Sequence, residues 1–197
     1  MNLLKIQITK KTLLNLILCI LGISFSSFYN QTETEIEWNE NRKLTFEDFK
    51  GKVPTGKDNI SAETASGISI SKVQWNGNYG KIIIKSIFDT KESWIRKNTS
   101  EFVLKHEQGH FDITEIYARK IRKKLYYKKF KRSNFTKYFN NIYNKNETEK
   151  NAYQLLYDRE TNLSRNYQKQ KEWDKKIEKE LKSLEKFKDT EVIIILK

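Results

Sequence analysis

Between Leu104 and Ile113 the chain reads L-K-H-E-Q-G-H-F-D-I, and His106 and His110 are the only two histidines among its 197 residues. Positions four apart on an α-helix lie on one face, about one turn from each other. A helix is expected from about Thr99 towards Tyr126. The capping residues Asn98, Thr99 and Ser100 open it, with Glu101 three places beyond Asn98. Its inward face reads Val103, His106, His110, Ile113 and Tyr117, with Ile116 and Ile121 alongside. Glu101 with Lys105, and Glu115 with Arg119, form i,i+4 pairs on the other face. Two imidazoles on the packing side of a helix need polar partners there. The fold must therefore bring such groups against this helix.

H-E-x-x-H on a helix is also the arrangement in which two neutral imidazoles hold a zinc ion while the carboxylate handles the proton of a water. His106 and His110 are the candidate metal ligands and Glu107 the candidate general base. The competing reading is a pair of core histidines with Glu107 on the surface. Zinc needs a third protein donor. The longer pattern H-E-x-x-H-x-x-G-x-x-H is absent, since Ile113 stands where Gly would be, and Asp112 and Glu115 lie on other faces of the helix. The donor must come from another segment. Asp158 and Glu160, in the polar group that follows Leu155-Leu156, are the best-placed carboxylates after the helix.

The rest of the chain reads as α+β, a small antiparallel sheet packed on helices. Ile68 and Ile70 alternate with serines, Val73 and Trp75 continue with a change of phase, and Asn76-Gly77 is a hairpin turn leading to Ile82–Ile84 and Ile87-Phe88. Leu44–Gly51 suits a short strand or a helical turn equally. A second helix starts at Ser133 with Phe135, Phe139 and Ile142 on one face, and the polar run Asn144–Lys150 is a candidate break. A last helix carries Trp173, Ile177, Leu181, Leu184 and Phe187. Val192–Leu196 is a β-branched run that closes onto the hairpin sheet.

At the start, Lys5, Lys10 and Lys11 precede an apolar core, Leu13–Ile23, and small serines follow. The apolar run is short for a membrane span, so residues 1–27 read as a secretory signal peptide, with an uncleaved anchor as the alternative. Residues 28–43 are expected to be a flexible lead-in, and 44–197 a single metallopeptidase-like domain. The one cysteine, Cys19, falls inside the signal, so the exported chain would have no disulfide and rely on its core or a metal. The formal charge of +13 favours anionic surfaces,. Arg119–Arg132, dense in base with Tyr126, Tyr127 and Phe130 interleaved, is the candidate stripe for an anionic membrane or envelope polymer. The same residues also suit a solvated helix end. No nucleic-acid recognition motif is present.

In several separated places the chain resembles the bacterial family of predicted secreted zinc-dependent proteases, the domain-of-unknown-function 922 family. The matching stretches are Leu44–Gly51, Ala62–Ile68, Ser93-Trp94, Leu104–Ile113 running on to Arg119, Tyr157–Thr161 and Gln170–Trp173. The resemblance implies an exported zinc metallopeptidase acting on peptide or protein substrates at the cell envelope, with His106 and His110 as ligands and Glu107 as base. The family pattern carries a His where this chain has Leu163, and leucine binds no metal. If the segment is helical, Glu160 lies one turn before Leu163 on nearly the same face and replaces that donor, with Asp158 second. The alternative is a catalytically degenerate member that serves as a basic, envelope-associated binding protein.

Overall fold

The computed structural model describes residues 34–197, so the expected signal peptide lies outside the described residues. Strand β5 (Tyr79–Asp89) is the spine of the sheet. Its odd–even alternation buries Gly80, Ile82, Ile84, Ser86 and Phe88 and leaves the intervening side chains partly or fully exposed. Along one edge of β5 run β3 (Ser66–Ile70) and β4 (Gln74–Asn76), both antiparallel to it. Along the other run β8 (Glu191–Leu196), opposite Tyr79–Ile83, and β1 (Glu35–Glu37), opposite Ile87–Asp89. A short strand, β7 (Lys129–Phe130), adds to β8 in parallel, making the sheet mixed. A separate two-stranded ribbon joins β2 (Ala62–Glu63) to β6 (Trp94–Ile95).

Three helices cover the buried face: α1 (Glu101–Tyr126), α2 (Arg132–Thr161) and α3 (Tyr167–Ser183). The fold is α+β, as expected. One core gathers Ile82, Ile84, Val192 and Ile194 of the sheet with Ile113, Ile116, Ile121 and Leu125 of α1 and Trp173 and Ile177 of α3. A smaller one joins Ile36, Leu44, Phe49 and Phe88 to Leu104 and Phe111. Among the described residues no helix is long and apolar enough to cross a membrane.

Several expectations need correcting. The stretch expected as a flexible lead-in contains β1, and Trp38 donates from Nε1 to Asp112 Oδ1 at 2.7 Å, tying it to α1. Leu44–Gly51 holds one turn of 3-10 helix, Phe46–Asp48, closed by Asp48 accepting from the Thr45 backbone N–H. Asn76 pairs with Tyr79, so the tight turn is Gly77-Asn78, one residue later than expected, with Gly77 at φ +53°. Helix α1 is capped by Ser100 without a side-chain bond, and the Asn98 box does not form. Helix α2 runs unbroken through Asn144–Lys150, with Asn146 and Lys150 facing protein and Asn144, Lys145, Thr148 and Glu149 facing solvent. Asn146 is fully buried and donates to the Tyr117 carbonyl at 3.1 Å, and Lys150 pairs with Glu147 at 2.8 Å.

Helix α1 is enclosed on nearly all sides rather than amphipathic. Glu115, placed on its outer face by periodicity, is buried, and its Oε1 accepts from Arg119 Nε at 2.9 Å and from Arg122 Nη2 at 2.7 Å. Arg119 also donates to the Leu181 carbonyl, and Arg122 to that of Lys188. The expected basic stripe is therefore divided. Its two arginines on α1 face inward, while Lys128, Lys129, Lys131 and Arg132 are exposed.

Candidate metal centre

Helix α2 returns antiparallel to α1 and lays Tyr157 across its middle. The approach depends on Gly109. A Cβ there would lie 2.3 Å from the Tyr157 hydroxyl and 2.8 Å from Cζ, far inside van der Waals contact. With only hydrogen at that position, the Tyr157 ring stacks on His106 (centroids 4.5 Å apart, planes 17° from parallel) and meets His110 edge-on at 4.9 Å. Its hydroxyl donates to the His106 carbonyl at 3.1 Å. The next residue, Asp158, points at the histidines.

Each imidazole is oriented by a glutamine. Gln170 Nε2 donates to Asp174 Oδ1 at 2.8 Å and to the Tyr157 hydroxyl at 2.6 Å. A carboxylate only accepts, so the Gln170 atom facing His106 Nδ1 at 3.0 Å is the carbonyl oxygen,. Gln154 Nε2 donates to the His110 carbonyl at 3.0 Å, which turns its Oε1 to His110 Nδ1 at 2.5 Å. Both rings thus carry hydrogen on Nδ1, and in the neutral state each directs the Nε2 lone pair into the same space.

Those two Nε2 atoms are 3.2 Å apart, and Asp158 Oδ1 lies 3.2 Å from the first and 3.0 Å from the second. Three electron-rich atoms at such spacing repel unless a proton or a cation lies among them. Protonation is reflected in the ionisation. Burial pulls the His110 imidazole down, but the hydrogen bond to Asp158 and the charges of Glu107 and Asp158 outweigh it, so its pKa sits above the usual 6.5. Burial pushes Asp158 up, and its hydrogen bonds to both histidines and their charges reverse that, holding it well below the carboxylate range. A divalent ion fits the same space. Tetrahedral zinc with bonds of about 2.0–2.1 Å sets its ligands about 3.3 Å apart, close to the triangle observed. His106, His110 and Asp158 are the one such group of potential metal ligands among the described residues.

The donors open onto a cleft of about 370 Å³ lined by Ser61–Thr64, Glu107, Lys150, Leu163 and Arg165 among others. Glu107 is 4% exposed, and its Oε2 is buried with no hydrogen-bond partner. Ser86 Oγ, Arg122 Nε, Asn146 Oδ1 and Glu147 Oε1 are also buried without a partner, but of these residues only Glu107 lines the cleft, and that is where its free oxygen bears on the site,.

Glu160, ranked first as third ligand, does not reach the site. It is exposed and accepts from Trp173 Nε1 at 2.9 Å. The geometric argument failed because α2 ends at Thr161. Asn162, Leu163 and Ser164 all have positive φ, so Leu163 is not a helical neighbour of Glu160 and instead forms part of the cleft wall. Asp158, ranked second, is the carboxylate at the histidines. The Tyr153 and Tyr157 hydroxyls donate to Glu180 and to the His106 carbonyl, so neither is free to meet a group in the cleft. Sequence reasoning missed Gln154 and Gln170. A signal for the first existed, since Gln154 stands one helical turn before Asp158.

No curated protein and no solved structure matches the chain. Residues 85–168 match the model of a family described as bacterial protein of unknown function (DUF922), a span that holds both histidines, Glu107, Gln154 and Asp158 and supports assignment to that family.

Proposed function

We propose that this protein is an exported zinc-dependent metallopeptidase, with His106, His110 and Asp158 holding the ion and Glu107 serving as general base. One observation carries the reading: three lone pairs, fixed by their neighbours, converge beside a buried carboxylate oxygen that nothing else uses. Bound zinc would supply Lewis-acid chemistry, lowering the pKa of water towards ~7 and polarising a carbonyl. Glu107 Oε2 accepts the proton of the attacking water and returns it to the leaving nitrogen. Gln154, Gln170 and Tyr157 hold the imidazoles in the one orientation that serves both ligands. A peptide substrate is favoured by β2, which pairs on one side only, with β6, and whose residues line the cleft. An extended chain adds readily to such an edge. The rival reading, a degenerate member disabled by Leu163, is weakened because Asp158 supplies the donor that Leu163 lacks.

Zinc analysis of the purified protein, beside hydrolysis of unfolded protein by wild type and Glu107→Gln, tests the proposal. The expected result is about one zinc per chain in both and at least a ~100-fold loss of hydrolysis in the variant. Zinc near zero, or unchanged hydrolysis, overturns it.

A further inference from the structure

The helices cover one face of the sheet. On a half-covered antiparallel sheet the other face ordinarily alternates to polar residues. Here it does not. Tyr79 and Ile195 are paired across β5 and β8, and Ile193 follows on the same face, all three large and apolar at 43%, 49% and 47% exposure. Ile83 continues the row, half-buried. Exposed apolar patches of this kind mark contact surfaces.

The border of this patch is basic. Lys129 of β7 is the Cα partner of Ile195, so it stands on the same face directly beside the apolar row. Exposed Lys131 lies two residues on, whereas Lys128 and Arg132 turn to the helical side, over the rings of Tyr138 and Trp75. The acids nearest the patch are already matched, Glu191 to Lys81 and Glu37 to Lys85, each at 2.5 Å, while Glu35 and Asp89 lie at the far end of β5. The uncompensated charge at the patch is thus positive. It comes from the part of the Arg119–Arg132 stretch that remains outside once Arg119 and Arg122 have turned inward.

From this juxtaposition we propose that the outer face of the sheet docks on an anionic bilayer, Tyr79, Ile193 and Ile195 entering the headgroup boundary and Lys129 and Lys131 meeting lipid phosphates. Aromatic and aliphatic side chains beside a cluster of lysines suit that interface. A second copy of this chain is disfavoured as occupant, because both halves of a two-fold contact would bring the same unpaired lysines and no additional acid beside the patch. This surface lies apart from the metal cleft, which is on the helical side, so it stands independently of the hydrolase proposal.

The test uses the full chain and hydroxyl-radical footprinting of side chains, which locates contact residue by residue whatever the first 27 residues do. The probes are vesicles of phosphatidylcholine alone and of phosphatidylcholine with one quarter phosphatidylglycerol. Protection of Tyr79, Ile193 and Ile195 is expected on the anionic vesicles only, reversed by high salt. Lys129→Glu with Lys131→Glu, both exposed positions, should weaken that protection by on the order of tenfold or more. Ile193→Ser with Ile195→Ser should do the same with an unchanged melting temperature. Equal protection on neutral vesicles, none on either, or protection that grows with protein concentration in the absence of lipid would overturn the proposal. So would charge reversal without effect.

Discussion

Gly109→Ala tests whether the metal centre rests on the closeness of α2 to α1. Alanine is the better helix residue by about 1 kcal/mol, so on a free helix the change would stabilise. Here the new methyl lies 2.3 Å from the Tyr157 hydroxyl, and the ring must retreat by about 1 Å to restore ordinary contact,. Tyr157 has no room to do so. It is fully buried, stacked on His106 and packed edge-on against Trp173 at 5.2 Å. Overpacking costs about 1–3 kcal/mol, and the two hydrogen bonds at the displaced hydroxyl are worth about 1 kcal/mol each. After the helix-propensity gain, the net loss is about 2–4 kcal/mol, which for a domain of this size is roughly 5–15 °C in melting temperature. Thermal unfolding by circular dichroism in a chelator measures it without metal. The discriminating arm is Tyr157→Ala, which removes the obstacle. In that background Gly109→Ala should be neutral or stabilising, a reversal of sign. If Gly109→Ala stabilises the otherwise unaltered protein, or has the same effect in both backgrounds, the packing account is wrong.

Gln170→Leu and Gln154→Leu should each lower zinc affinity by about 10–100-fold, measured by competition with a chromogenic chelator, because the ring they orient is freed. The pH dependence has a definite sign. Without metal, the His110–Asp158 pair contributes stability that is fully present below pH 6.5 and is lost as pH rises through the elevated His110 value. Its Asp158 part is present above pH 3.8 and lost as pH falls through the depressed value,. Zinc needs the neutral imidazole, so the rise in melting temperature on adding zinc should be small at pH 5.5 and large at pH 8. Glu115→Leu leaves Arg119 and Arg122 buried without their carboxylate and should cost about 3–5 kcal/mol in denaturant unfolding.

How far the sequence disclosed this arrangement depended on the range of the signal. Period-two alternation marked β3, the hairpin turn after it led to β5, a β-branched run marked β8, and four-residue spacing put both histidines on one face, since each is a local pattern. The third donor required knowing where α2 stops. Nothing in Thr161–Arg165 announces three consecutive left-handed residues, one of them a leucine, and a two-residue extrapolation of the helix was enough to favour Glu160 over Asp158. Polarity misled twice more. Asn144–Lys150 resembled a break and Glu115 an outer face, because buried polar groups that find partners across a helix interface are indistinguishable in sequence from solvated ones. Nothing local explains Gly109 inside a helix, because its reason, the Tyr157 ring, lies 48 positions away.

The buried Glu115–Arg119–Arg122 trio bears on how the histidine-bearing end of α1 is aimed. Turning α1 about its own axis by a single residue, about 100°, would drive two guanidinium groups against hydrocarbon and strand a carboxylate, whereas a helix held by aliphatic side chains alone tolerates small rotations at modest cost. The trio therefore works as a rotational key, seated two turns beyond His110, that sets the angle at which both imidazoles emerge. A variant with all three replaced by well-fitted apolar residues could melt no lower than the parent and still bind metal poorly, its helix stable but no longer indexed.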